Sequence, residues 1–572
     1  MNLTRRMLGL LLTFALVAGA CGGGDGDGGG DNATDDTGKT GDSASSNDIN
    51  AVDVADLAEG GTLTWPLSAF PPNFNYHNLD GTDADNADVI GALMPGTFEY
   101  NAKAEPRLDE EFVTRAELTS ESPKQVITYQ INPKAKWDDG TAITWKDFEA
   151  QWKALNGSND LFKVASTQGY DKMESVVRGK DDLEVIVTFK EPFADWRGEF
   201  NPLYPAATNS NPTVFNDGWK EKFITTAGPF KVEGIDKTAQ TITLVRNEKW
   251  WGRKAKLDRI IFRVIDADAQ IGALANGEID FIDVGPDVNK LRQAESTAGI
   301  DIRKAAGPNF RHITINGQTE VLKDVKVRKA LALGINRETI GRAMLTPLGF
   351  EAKPLNNHIF MTNQKGYQSN AGDLEKADPE AAGKLLDEAG WTMQGDVRMK
   401  DGKPLKVRFV IPANVATSAQ ESQLVQQMLK AIGVQVDIES VPLGDFFEKY
   451  VNPGNFEFTV FSWIGTVFPI SSSKSIYANP KPGPDGQLVI QQNYARVGSP
   501  ELDALFDEAT RIFDAEEAAK VGNRIDKMIW DEVHSLTLYQ RPEIVATKAG
   551  LANFGAFGFA STVYEDIGFK KA

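Results

Sequence analysis

Four groups of residues have the types and spacing that chemistry uses. Ser471-Ser472-Ser473-Lys474 has the Ser-x-x-Lys spacing of serine acyl-enzymes. That chemistry also needs a Ser-Asp-Asn and a Lys-Thr-Gly further along the chain. Neither follows, and the one Lys-Thr-Gly, Lys39-Thr40-Gly41, lies far upstream in a glycine-rich stretch. Gly38-Lys39-Thr40 would close a phosphate-cradling loop, but Ala33 stands where the loop needs its first glycine and no strand precedes it. His77, His312, His358 and His534 are widely spaced, with no His-Glu-x-x-His to hold a metal. The acid pairs Glu110-Glu111 and Asp138-Asp139 have the groups for glycoside cleavage. In a chain with 80 acids such neighbours arise by chance, so solvated faces are their default reading. These residues define no catalytic site, no metal site and no cofactor.

The chain's 572 residues exceed a single small domain. Its 41% hydrophobic and 25% charged residues are ordinary for a globular protein. A net charge of −19 excludes a nucleic-acid partner, because such binding rests on Lys and Arg neutralising phosphates. The single cysteine, Cys21, excludes an internal disulfide and any zinc site built on several thiolates. Residues 1–20 carry Arg5 and Arg6, an apolar run from Met7 to Val17, and Ala18-Gly19-Ala20 before Cys21. This is the pattern of a secretory signal, and the apolar run is too short to span a bilayer. Ala18-Gly19-Ala20-Cys21 resembles a bacterial lipobox, with Ala18 where Leu is usual, and implies lipidation at Cys21. Thr4-Arg5-Arg6 with Leu8 also resembles a twin-arginine signal, although Gly9 breaks its apolar pair, so both export routes stay open. Residues 21–57 read as a flexible tether, since the Gly-Asp-Ser-Thr-Asn sequence up to about Asn50 has too little apolar surface to offset its ordering entropy. From Gly22 to Asp56 its root-mean-square reach would be roughly 30–35 Å.

From Gly60 onward strands and helices interleave. Strand patterns cover Leu63–Leu67, Val126–Ile131, Leu183–Phe189, Thr241–Arg246, Arg259–Ile265, His312–Asn316, Val407–Ile411, Val434–Ile438 and Phe456–Trp463. Thr144 with Asp147, Asp378-Pro379 and Ser499-Pro500 mark helix starts, and Ser418 to Glu421 reads as a capping box for a helix stopped by Gly433. Such interleaving predicts an α/β fold of mixed-sheet lobes.

The segment from Tyr129 to Thr144, centred on Trp137-Asp138-Asp139-Gly140, resembles the signature of the bacterial extracellular solute-binding family 5, the peptide/nickel-type binding proteins of ABC importers. The resemblance continues through Ala227-Gly228-Pro229-Phe230, Arg246–Gly252, Asn276–Asp280, Asp324–Leu331 with Ile335–Glu338, Leu385–Trp391 and Asp401–Leu405. It implies a two-lobed periplasmic-binding-protein clamp (type II, cluster C) with an extra domain inserted in the first lobe. The implied boundaries are 58–95 and 216–306 for lobe I, 96–215 for the insert, 307–540 for lobe II, and a return to lobe I over 541–572. It further implies a monomer without enzymatic activity, which closes on a small-molecule or peptide ligand and delivers it to a permease and ATPase complex. The chain would be extracytoplasmic, held by its N-terminal lipid on the outer face of the bacterial membrane, or periplasmic. The alternative is a non-transport lipoprotein of the same fold that binds a glycolipid or glycan in envelope assembly.

Peptide-binding members carry a Trp-x-x-Asp whose acid meets the peptide's α-amino group. Here the tryptophan is Trp463 and the acidic position is Thr466. Val460 and Leu443 fall where the peptide binders have an arginine and a second tryptophan. Trp463, Thr466, Ser462 and Phe468 are therefore the expected ligand contacts, in a pocket of low charge that suits stacking and hydrogen bonding. A blocked or cyclic peptide, a glycoside and a glycolipid fit it as well as a free peptide does.

Overall fold

The computed structural model describes residues 46–483 and 488–571. The expected signal and the lipidation site Cys21 lie outside these residues. Residues 48–57, expected to belong to the tether, are instead laid against the body. Asp48 and Ala556 exchange backbone hydrogen bonds at 2.8 and 2.9 Å, and Val52 N–H donates to Asn553 Oδ1 at 2.8 Å. Ile49 and Leu57 are both buried. Two apolar side chains and a satisfied backbone fix this stretch.

Lobe I opens with β1 (Thr62–Leu67), whose alternate residues Leu63, Trp65 and Leu67 point into the core. Helix α1 (Ala84–Gly91) follows, capped by Asp83. The insert contributes β2 (Val113–Ser120), β3 (Val126–Ile131), helix α2 (Trp145–Leu155), β4 (Met173–Arg178) and β5 (Glu184–Phe189). Its antiparallel sheet has the order β2-β3-β5-β4. As the sequence predicts, α2 starts at a capping box formed by Thr144 and Asp147. The chain then returns to lobe I in β6 (Phe230–Asp236), β7 (Thr241–Arg246) and β8 (Arg259–Val264), giving a sheet ordered β1-β8-β7-β6.

The second large sheet begins with β9 (Phe281–Asp283) and the 16-residue β10 (Ile300–Ile315). Helices α3 (Arg337–Leu345) and α4 (Pro379–Glu388) follow, capped by Asn336 and, as expected, by Asp378. Next come β11 (Lys406–Pro412), α5 (Ala416–Lys430), β12 (Gln435–Val441), β13 (Phe458–Ile464), α6 (Pro469–Tyr477), α7 (Pro500–Ala509), α8 (Ala515–Glu532) and β14 (Ser535–Lys548). The sheet order is β9-β14-β10-β13-β11-β12. Strands β10 and β14 pair antiparallel from Ile300 opposite Lys548 to Thr314 opposite Ser535. One end of this ribbon places Ala305 and Val545 in the lobe I core, and the other places Ile313, Ile315, Leu536 and Leu538 in the lobe II core. The two lobes are joined by strands that belong to both.

The capping box expected at Ser418 and Glu421 is not formed. Helix α5 starts at Ala416, and its N-cap residue Val415 makes no side-chain cap. Ser418 and Glu421 lie inside the helix, fully buried, and face Arg311 of β10. A guanidinium arriving from the sheet offers charge-assisted hydrogen bonds, stronger than those of the helix's own N–H groups.

A chain beginning at Ala58 should be less stable than one beginning at Ser46 by about 2–4 kcal/mol, from the lost burial of Leu57 and Ile49. Urea denaturation of the two proteins checks this; equal midpoints would mean that the segment does not dock.

Candidate ligand cleft between the lobes

Strand β13 carries two of the expected contacts and leads into the loop that carries the other two. It pairs with β10 along its whole length, but with β11 only at Phe409–Phe458 and Val410–Thr459. From Val460 to Ile464 the edge of β13 away from β10 has no strand neighbour among the described residues. Its alternate N–H and C=O groups are an open template for an added extended chain.

Trp463 stands beside this edge, partly buried, and packs against the lobe I core and two smaller lobe II clusters. Tyr494 stacks on it at 5.7 Å with rings 5° from parallel, and His312 lies at 5.6 Å and 14°. Ser462 points to the opposite face of the strand and makes no side-chain hydrogen bond among the described residues. After β13 the chain turns at Gly465, whose N–H donates to Pro308 O at 3.0 Å. A Cβ at this position would lie 2.4 Å from that oxygen, so only glycine allows so close an approach.

Thr466 is buried, and its hydroxyl works within the loop. It donates to Ser472 Oγ at 2.9 Å and accepts from Phe468 N–H at 3.1 Å. Thr466 therefore shapes the loop that enters α6, and the acid absent from position 466 is not replaced there. Phe468 reaches out of lobe II and meets Tyr100 edge-on at 5.7 Å. These two rings separate two cavities of about 250 and 210 Å³, since both line each of them. The seam is further held by Ala194 N–H donating to Thr510 O at 3.0 Å and by Arg511 3.7 Å from Glu191. Burial raises the Asp195 carboxyl in this seam to about 6, with Ser471 and Arg197 opposing the shift. In the Ser-x-x-Lys segment, Lys474 pairs with Asp507 at 2.5 Å.

The β10–β14 ribbon carries charge that lies outside the Trp-x-x-Asp motif. Val460, at the position matching the family's arginine, is fully buried in the lobe II core. Leu443, at the matching tryptophan position, is exposed. Positive charge comes instead from Arg311 of β10 and Arg541 of β14. Arg311 is buried and donates from Nε to Glu421 Oε1 at 3.1 Å, from Nη2 to Glu421 Oε2, and from Nη2 to Ser418 Oγ at 3.1 Å. Tyr539 O–H donates to the same Glu421 Oε1 at 2.6 Å. The carboxylate beside Arg311 holds its guanidinium above the usual arginine range although burial opposes this. The sequence signal for these residues was a charged position inside an apolar strand, hidden because β10 starts a dozen residues earlier than its apolar run.

Two lobes sharing crossing strands, with an open strand edge and aromatic side chains between them, define a solute-binding clamp. The chain matches the family model described as bacterial extracellular solute-binding proteins, family 5 Middle, over residues 103–483, and it belongs to that family. It is 40% identical over 528 residues to the oligopeptide-binding protein OppA of Mycobacterium tuberculosis, covering 92% of this chain and 87% of that protein. It is 28% identical over 268 residues to the probable monoacyl phosphatidylinositol tetramannoside-binding protein LpqW of the same species, covering 46% and 42%. Among solved structures, the periplasmic EDTA-binding protein EppA superposes with a TM-score of 0.82 at 25% identity, covering 93% of this chain and all of that one. The oligopeptide-binding protein AppA of Bacillus subtilis, in complex with a nonapeptide, superposes with a TM-score of 0.70 at 22% identity, covering 90% and 100%.

Replacing Glu421 by Leu strands the Arg311 guanidinium without its carboxylate, and should cost roughly 3–5 kcal/mol of stability. Adding Arg311→Met should restore most of that loss. Denaturant midpoints of the single and double variants test it, and a Glu421→Leu protein as stable as wild type would show that the pair carries no weight.

Proposed function

We propose that this protein captures a peptide or peptide-like solute outside the cytoplasm for an ABC importer, binding its ligand without turning it over. The observation that carries this is the open edge of β13 beside Trp463. A peptide main chain can add there as a strand, gaining sequence-independent hydrogen bonds while its side chains meet the aromatic wall. The OppA relative, at 40% identity, is named as an oligopeptide binder, which supports the same ligand class. In this reading Trp463, Ser462 and Phe468 contact the ligand, and Thr466 acts through the loop it braces. The lobes close by bending the β10–β14 ribbon, and the closed form is what the membrane permease reads. Cys21 carries the lipid that holds the chain at the outer face of the membrane. No helix among the described residues is long and apolar enough to cross a membrane.

A second reading, a glycolipid-binding lipoprotein of the envelope, draws on the uncharged residue at 466 and the partial likeness to LpqW. Native mass spectrometry of a chain starting at Ser46, purified without refolding, separates the two. Added masses spaced like amino-acid residues are expected; a discrete sugar- or lipid-sized adduct would move the protein to the second reading.

Seam closure should depend on pH through Asp195. Its carboxyl is raised to about 6 in the closed seam, against 3.8 for a solvated group, so the closed form holds the proton more tightly. Closure is then favoured in mild acid and loses this support as pH rises through 6. Small-angle scattering of the ligand-free protein should show expansion between pH 5 and 7.5, and Asp195→Asn should flatten that change.

A further inference from the structure

The ribbon that joins the lobes presents one polar row to the space between them. On β14, Tyr539 belongs to the lobe II core and Val545 to the lobe I core, and Arg541 lies between them on the same face. The register places Arg311 between Tyr539 and Ser462, while Asn309 lies opposite Ile464 on β13, in the stretch where the β10–β14 register shifts. Arg311 is saturated by Glu421 and Ser418. The other polar groups of this face are not.

Arg541 makes no hydrogen bond or ion pair among the described residues. Its guanidinium lies over Gly285, with Nη2 3.4 Å from where a Cβ would stand. The acids around it are engaged elsewhere. Asp283 accepts from Gly285 N–H at 2.8 Å, and Glu543 accepts from the N–H groups of Phe557 and Gly558 at 3.1 and 2.8 Å. Glu421 is shared between Arg311 and Tyr539. The Asn309 side-chain oxygen is buried without a partner. A partly desolvated guanidinium with no carboxylate on it, between two cores, lacks an anion.

We propose that Arg541 binds a carboxylate of the ligand, which for a peptide is its C-terminus. Resting on the peptide reading above, this adds the end of the peptide that the cleft grips. The planar guanidinium offers two parallel N–H groups to the two carboxylate oxygens. Anchoring by the carboxyl end also accounts for a cleft with Thr466 where relatives place the acid for the amino end. The charge of the ligand is then met on the ribbon itself, so its binding bears on both lobes at once.

The test uses a pool of pentapeptides lacking Asp and Glu, made once as free acids and once as C-terminal amides, titrated calorimetrically into the ligand-stripped full chain. The wild-type protein is expected to bind the acid pool at least tenfold more tightly than the amide pool. Arg541→Gln should remove this gap while leaving amide binding within about twofold, and Arg541→Lys should keep part of it. Thermal melts confirm that the variants fold. Equal binding of both pools by wild type, or a gap that survives in Arg541→Gln, overturns the proposal and leaves the peptide reading standing. If neither pool binds, the peptide reading falls, and EDTA becomes the probe. EDTA binding that is lost in Arg541→Gln sustains the carboxylate site, and no EDTA binding overturns it.

Discussion

The antiparallel ribbon of β10 and β14 is the constraint from which the rest of this structure follows. Its backbone hydrogen bonds run without a domain boundary from the core of lobe I to that of lobe II. The lobes therefore cannot separate by sliding, since that would break the ladder, and relative motion is limited to bending and twisting of the ribbon. The pairing shifts register between Ala306 and Phe310 and again between Arg311 and His312. Such irregularities concentrate twist and bend a strand. Both lie where the ribbon passes from one core to the other, next to the side chains of the cleft floor.

A polar face inside such a ribbon is expensive unless each group is matched. The structure matches one guanidinium completely and the other not at all. Arg311 is closed off by a carboxylate, a serine and, through that carboxylate, a tyrosine. Arg541, two residues along β14 from that tyrosine, is left open. The first arrangement ties helix α5 to the sheet, while the second leaves an electrostatic vacancy on the same surface. Paired and unpaired guanidinium groups are thus separated by a single row of the sheet.

Much of the scaffold was legible in the chain itself. Alternation in β1, β3 and β8 and the caps at Thr144, Asp378 and Ser499 act over a few residues, so local pattern suffices to find them. The errors share a cause. Ser418 and Glu421 have the spacing of a capping box, but their partner is Arg311, over a hundred residues away in sequence. Val460 sits at a position that implied a ligand-facing side chain, while the alternation of β13 turns it into the core. The tether's expected end at residue 57 missed the docking of residues 48–57, whose partners are near the opposite end of the chain.

The sequence by itself determined the secretory leader pattern, the order of strands and helices, the family of the fold and the lack of an acid at position 466. These are properties of composition, short-range periodicity and aligned motifs. Only the tertiary structure decided which charges remain free. Whether an arginine is neutralised depends on which strand lies beside it and which carboxylate can reach it, and the pairing of β10 with β14 joins residues more than two hundred positions apart. Arg311 and Arg541 are alike in type and in strand context. One is structural and the other open because helix α5 passes over the first and not over the second.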